Sequence, residues 1–204
     1  MAPIHDACTY KAGDVEAVRR ELAAGVSPDL RGNQWGHDDV TPLLIAANHE
    51  HMEIVLLLLD AGADVHLVGS GGFTALKIAC LNSNKSIIAV LIAAGPSLHV
   101  ESSRNQKLPI EMHGFQPKRI VPMLLRAGSP LPHPERTAWM LTRHSIFNAA
   151  ATNYVNAVAA AGGFVPYERA HTKRLAAIFV PKFTWLPAEV IPTIVGFWAH
   201  TGCY

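Results

Sequence analysis

Residues 41–64, TPLLIAANHEHMEIVLLLLDAGAD, decide how this chain folds. Thr41 stands where a helix N-cap belongs, its hydroxyl able to accept from a free amide of the first turn, and Pro42 takes the first helical position, where no amide is needed. Leu43, Ala46 and Ala47 then share one face of a short helix, the alanines allowing neighbouring helices to approach closely. Glu50-His51 marks the turn into a second helix that buries Ile54, Val55, Leu57, Leu58 and Leu59, and Gly62 ends it in the left-handed conformation that glycine tolerates.

The same unit recurs along the chain. Gly62 to Gly95 and Gly95 to Gly128 are each 33 positions apart, whereas Gly25 to Gly62 is 37. A fixed period of this length marks stacked supersecondary units. The extra residues of the first interval fall in RGNQWGHDDV, residues 31–40, so an enlarged loop tip is expected there. The copy at 73–100 keeps Thr74, Leu76, Ala79, the Ile87-Ile88 pair and Gly95, with Ala75 and Lys77 replacing the proline and Leu44 of the better copy. In the copy at 107–132 the first helix is degraded, with Leu108 for threonine and His113-Gly114 for the alanine pair, while Ile120 to Leu125 reads as a clear second helix. A fifth, lengthened copy runs through Thr137, Ala149-Ala150-Ala151, Tyr154-Val155, Val158 and Gly162. At the N-terminus, periodic Val15, Val18 and Leu22 before Gly25 predict a helix pair without a threonine-proline opening, which suits a capping repeat.

The opening threonine-proline-leucine, paired alanines, glutamate-isoleucine-valine run, leucine run and Gly-Ala-Asp resemble the ankyrin repeat. The resemblance implies an all-α ankyrin-repeat solenoid of about four to five helix-pair repeats with a helical C-terminal cap. The expected domain is 1–162, with repeats at about 4–30, 39–67, 72–100, 107–131 and 137–162, followed by a helical extension at 163–204. Leu44 stands in place of the family's histidine, so the usual threonine-histidine hydrogen bond cannot form in that repeat. Within the extension, His171 to Val180 predicts one helix. Pro187, Val190, Ile191, Ile194, Val195 and Trp198 predict another, which Pro192 kinks or restarts. The tail is read as a cap over the apolar end of the stack. Leu186-Pro187-x-Glu189-Val190 also resembles the opening of F-box and related ligase-recruiting boxes. That resemblance implies a substrate-recruiting adaptor of a ubiquitin ligase, with a degenerate C-terminal box, as the alternative.

Composition narrows the function classes. The 204 residues are 50% hydrophobic and carry formal charge +1, enough apolar content for one substantial core. Six basic and eleven acidic side chains fall in residues 1–100, against eleven basic and five acidic ones in 101–204. That asymmetry orients encounters with charged partners more than it sets the fold. Cys8, Cys80 and Cys203 are widely separated, which argues against a disulfide framework or a zinc knuckle and for a reducing, cytoplasmic setting. The N-terminus MAPIHDACTYKAGD lacks the pattern of a secretory signal, and its acidic residues speak against a transit peptide; an organelle interior stays open if a transit peptide has been removed. Lys182 and Glu189 interrupt the most apolar segment, so no membrane span is expected. His49 with His51, His5 with Cys8 and His200 with Cys203 are close in sequence, yet none completes a metal-ligand set. No GxSxG, HExxH or P-loop signature occurs, so no enzyme, metal or cofactor role is expected.

Binding is the function that the resemblance implies. A preformed concave groove loses little conformational entropy on binding, and in the ankyrin arrangement Asn48, His49, Leu81 and Asn82 are expected to project into it. Loop tips would add Trp35, His37, Asp38, Phe73 and Arg104, with Trp35 as an anchor of the kind enriched at interface hot spots. On the convex side, the position three residues after the glutamate of the second helix is Arg19, Leu56, Ala89 and Pro122 in successive repeats. Three of these four are uncharged where the family carries a solvated charge. Leu56 and Ala89 are therefore expected to pack on a large partner. The expectation is a scaffold or assembly subunit for a protein partner, a large complex among the candidates, with no nucleic acid.

Overall fold

The computed structural model describes residues 3–9, 13–34, 37–69, 72–98, 108–111, 117–131, 147–182, 187, 189–191 and 194. They form two compact units, residues 1–138 and 139–204.

In the first unit each repeat is built as its sequence dictates. Helix α1 (Pro3–Thr9) and α2 (Val15–Ala23) make the first pair, and the Asp14 carboxylate caps α2 by accepting from the Ala17 amide at 2.9 Å. In the second repeat, α3 (Pro42–Asn48) starts at Thr41, whose hydroxyl accepts from the Leu44 amide at 3.4 Å, and every residue from Pro42 to Ala47 is buried. Its partner α4 (Met52–Asp60) buries Ile54, Val55 and Leu58. The third repeat copies this with α5 (Ala75–Leu81), capped by Thr74, and α6 (Lys85–Ala93), capped by the Asn84 carboxamide oxygen accepting from Ile87. Each fully buried aliphatic side chain contributes roughly 1.5–3 kcal/mol, so the paired helices stay together chiefly through these faces.

The helices form two rows. Helices α1, α3 and α5 pack side by side, followed by a short 3-10 turn at Pro109–Glu111; α2, α4, α6 and α7 (Pro117–Arg126) form the second row. The 3-10 turn is all that the described residues show of the fourth repeat's degraded first helix. In the second row α7 buries Ile120, Val121, Leu124 and Leu125 and keeps Pro122 within it. Left-handed glycines close the second helices, among them Gly62 at φ +85° and Gly95 at φ +77°.

The enlarged loop before Thr41 contains a feature the all-helical reading did not include. Gly32–Gln34 (β1) pairs antiparallel with His37–Val40 (β2), Gly32 opposite Val40 and Gln34 opposite His37, with an irregularity between the two pairs. An Arg31–Asp39 ion pair at 3.6 Å lies at its base. The four inserted residues are what give this finger enough length to pair with itself.

The second unit contains α8 (Phe147–Ala160) and α9 (Phe164–Phe179), joined by a turn at Gly162 and Gly163, both with positive φ. Tyr154 of α8 meets Tyr167 of α9 edge-to-face at 5.2 Å, and Tyr167 stacks on His171 at 5.8 Å. Helix α9 starts well before the expected His171, because Pro166 sits in its first turn, where a missing amide costs nothing. The segment expected as a terminal helix from Pro187 lies mostly outside the described residues.

Candidate partner-binding surface

The inner row of helices ends in an exposed edge. Asn48 is the last residue of α3 and Leu81 the last of α5, at equivalent positions of successive repeats; Asn48 is exposed and Leu81 is 41% exposed. The next position, His49 and Asn82, is half-buried. His49 stacks on His51, ring centroids 5.8 Å apart and planes 14° from parallel. Burial, and secondly the neighbouring His51, hold His49 below its ordinary pKa, so the imidazole is biased toward its neutral form.

These turns are tied to one another across repeats. The Asn82 carboxamide donates to the Asn48 carbonyl at 2.9 Å, and Asn84 donates to the Glu50 carboxylate at 3.2 Å. On the loop side, Asp29 accepts from the Asp64 amide at 2.9 Å and His66 Nδ1 accepts from the Ser97 amide at 3.2 Å. The edge is therefore preorganised: an exposed leucine and an exposed carboxamide on turns whose backbone is already held. Such an edge offers apolar contact and hydrogen bonding and needs little ordering on association.

Among the other candidate residues, Leu56 is 42% exposed on α4, and Ala89 is exposed on α6. Phe73 is half-buried, and its carbonyl accepts from the Gly69 amide at 3.0 Å. His37 and Asp38 are described only as backbone of β2, at the finger. Trp35 and Arg104 lie outside the described residues. The structure thus places Asn48, His49, Leu81 and Asn82 along one edge, and Leu56 and Ala89 on the second row of helices.

Burial pushes the thiols of Cys8 and Cys80 up to about 12, leaving them protonated and inert as nucleophiles at neutral pH. Among the described residues no group of three or more His, Cys, Asp or Glu is arranged to hold a metal ion, and no helix is long and apolar enough to cross a membrane.

At one position the burial of polar side chains was not read from the sequence. Residue four of each opening is His5, Leu44, Lys77 and Glu111 in turn, and all four are buried. His5 donates from Nε2 to the Val40 carbonyl at 3.0 Å, pinning the base of the finger, and its ring leaves room only for a glycine at residue 32. Lys77 Nζ reaches the Gly72 carbonyl at 3.4 Å, and Glu111 accepts from the Leu108 amide at 2.9 Å. The available signal was the alignment of Pro3-Ile4-His5 with Pro42-Leu43-Leu44, which places His5 at the inward-facing fourth residue.

Comparison with known proteins agrees with this architecture. The family described as ankyrin repeats (3 copies) matches residues 4–102. An ankyrin repeat protein of fowlpox virus is 38% identical over 63 residues, 31% of this chain and 8% of that protein. Human transient receptor potential cation channel subfamily A member 1 is 34% identical over 83 residues, 40% of this chain and 7% of the channel subunit. Human ankyrin repeat and SOCS box protein 11 is 35% identical over 82 residues, 40% of this chain and 23% of that protein. The chain therefore spans less than a quarter of the length of each of these curated relatives. The helix-pair period, the threonine caps and the family match converge: residues 4–102 of this chain are ankyrin repeats.

Proposed function

We propose that this chain is a non-enzymatic scaffold or assembly subunit that binds a protein partner along the edge formed by Asn48, His49, Leu81 and Asn82, with the loop tips contributing. Ankyrin repeats generally mediate protein–protein interaction. The observation that carries the reading here is Leu81: a large apolar side chain, 41% exposed, on a turn fixed to its neighbour by the Asn82–Asn48 hydrogen bond. A rigid apolar anchor beside an exposed polar residue, Asn48, is the composition of an interface centre.

Cross-linking mass spectrometry on native extract tests it. The expected result is stoichiometric cross-links from lysines near this edge to one protein or one large complex, lost in Leu81→Asp while the thermal midpoint is retained. Unchanged cross-links in that variant would contradict the reading. A substrate-recruiting adaptor of a ubiquitin ligase is the second reading, favoured by the SOCS box in the name of one relative. Of its sequence support, Pro187, Glu189 and Val190 are exposed, and Leu186 lies outside the described residues. A cullin-type cross-linked partner would select that reading over a structural subunit.

A further inference from the structure

Two exposed helix faces of opposite charge occur in the two units. On α4, Glu53, Leu56 and Asp60 lie three and four residues apart and so share one face; all three are exposed, Leu56 by 42%. The matching faces on the neighbouring helices lack this character. On α2, Glu16 is engaged by Arg19 at 3.6 Å, and on α6 the corresponding residues are the uncharged Ser86, Ala89 and Ala93. On α9, Val165, Arg169 and Lys173 follow at four-residue intervals and are exposed, Val165 by 64%, and Val180 just beyond the helix is 41% exposed. This is not the face that α9 turns to α8, because Tyr167, which meets Tyr154, lies on the opposite side.

Among the described residues none of Glu53, Asp60, Arg169 and Lys173 takes part in an ion pair. The wider charge distribution has the same sense: residues 1–100 hold eleven acidic and six basic side chains, and residues 101–204 hold five and eleven. One face thus presents an apolar side chain between two carboxylates, and the other presents two cations between two valines.

We propose that these faces recognise each other between copies, the α4 face of one molecule docking head-to-tail on the α9 face of a second. Glu53 and Asp60 meet Arg169 and Lys173, and Leu56, between the two carboxylates, lies over the aliphatic stems of the two cations. Because the two surfaces differ, each docked pair retains one free face of each kind, and the association propagates into a ring or an open series instead of stopping at a symmetric dimer. Two helix faces make a small, charge-dependent contact, so the association is weak and screened by salt. It stands independently of the edge at Asn48 and Leu81.

Sedimentation velocity of the full chain across a concentration series tests the proposal. The samples are the wild type, Glu53→Lys with Asp60→Lys, Arg169→Glu with Lys173→Glu, and an equimolar mixture of the two variants. The wild type should show a weight-average mass that rises with concentration in low salt and falls back at about 0.5 M salt, where the screening length is only a few ångströms. Each variant alone should self-associate about tenfold more weakly or worse. The mixture should regain the wild-type behaviour, because each reversed face then meets a complementary one. All four substitutions are at exposed positions, and matching thermal midpoints would establish that the variants fold. A wild type that stays monomeric throughout, association indifferent to salt, variants that associate like the wild type, or a mixture that fails to recover would each overturn the proposal.

Discussion

The second and third repeats have the same backbone plan and solve one buried position in opposite ways. Leu44 fills it with an apolar side chain, whereas Lys77 fills it with an ammonium group that is 0% exposed and bonded to the Gly72 carbonyl. The helix pairs on either side are equivalent: threonine cap, two inner alanine-sized positions, three buried aliphatics on the second helix. The difference teaches that the apolar faces and caps hold the repeat, and that the fourth residue of the opening varies, His5, Lys77 and Glu111 each tying one side-chain atom to the backbone. A buried charge contributes little net stability when paired and costs heavily when it is not.

Exchanging the two residues sharpens that contrast most. Leu44→Lys should destabilise by about 2 kcal/mol, since it desolvates an ammonium group where an apolar side chain now packs directly against Gly69. Lys77→Leu should change stability by about 1 kcal/mol or less, losing the hydrogen bond to the Gly72 carbonyl and a desolvation penalty together. Urea unfolding of both variants checks this, and a large loss in Lys77→Leu would show that the lysine is a required lock. The caps come next. Thr41→Ala and Thr74→Ala should each cost about 1 kcal/mol, and equally, because both hydroxyls accept from the amide three residues on.

Smaller effects separate the turns. Glu50 and Ser83 hold equivalent positions with φ of +62° and +58°, where a side chain is strained. Ser83→Gly should stabilise by about 0.5–1 kcal/mol, relieving that strain and removing a buried hydroxyl that has no hydrogen-bond partner among the described residues. Glu50→Gly should gain less in the same thermal assay, because it also removes the acceptor of Asn84.

The smallest effect is pH dependence, present in the second repeat and absent from the third. The folded pKa of His49 is lowered, so the unfolded chain takes up its proton first as pH falls. The stability from the neutral imidazole is complete above the ordinary value of 6.5, and is lost as pH drops through the lower folded value. His49→Asn, which copies Asn82, should flatten that part of a plot of unfolding midpoint against pH.

Much of this architecture was legible because it is periodic. Thr41-Pro42, the alanine pair, the aliphatic run and Gly62 each act locally, so their spacing alone specifies helix, turn and helix. The insertion before Thr41 was legible as four surplus residues between Gly25 and Gly62, but strand pairing within it was not, since Gly32–Gln34 and His37–Val40 are polar and lack an alternating apolar face. His5, Lys77 and Glu111 were missed because their residue types look solvated in isolation; only the stacking of neighbouring repeats buries them and supplies Val40 and Gly72 as acceptors. The exposure of Asn48 and Leu81 followed from helix register. That Asn82 spends its carboxamide on the Asn48 carbonyl depends on two repeats meeting, which no single repeat encodes.

The central claim is that a partner sits on the edge at Asn48 and Leu81, on turns that the packing of neighbouring repeats already holds in place. Hydrogen exchange on the recovered complex, compared with the free chain, tests it most directly. The account predicts slowed exchange in the turns at 48–51 and 81–84, with the amides inside α4 and α6 unchanged. Protection confined to residues 139–204, with those turns exchanging as in the free chain, would contradict it.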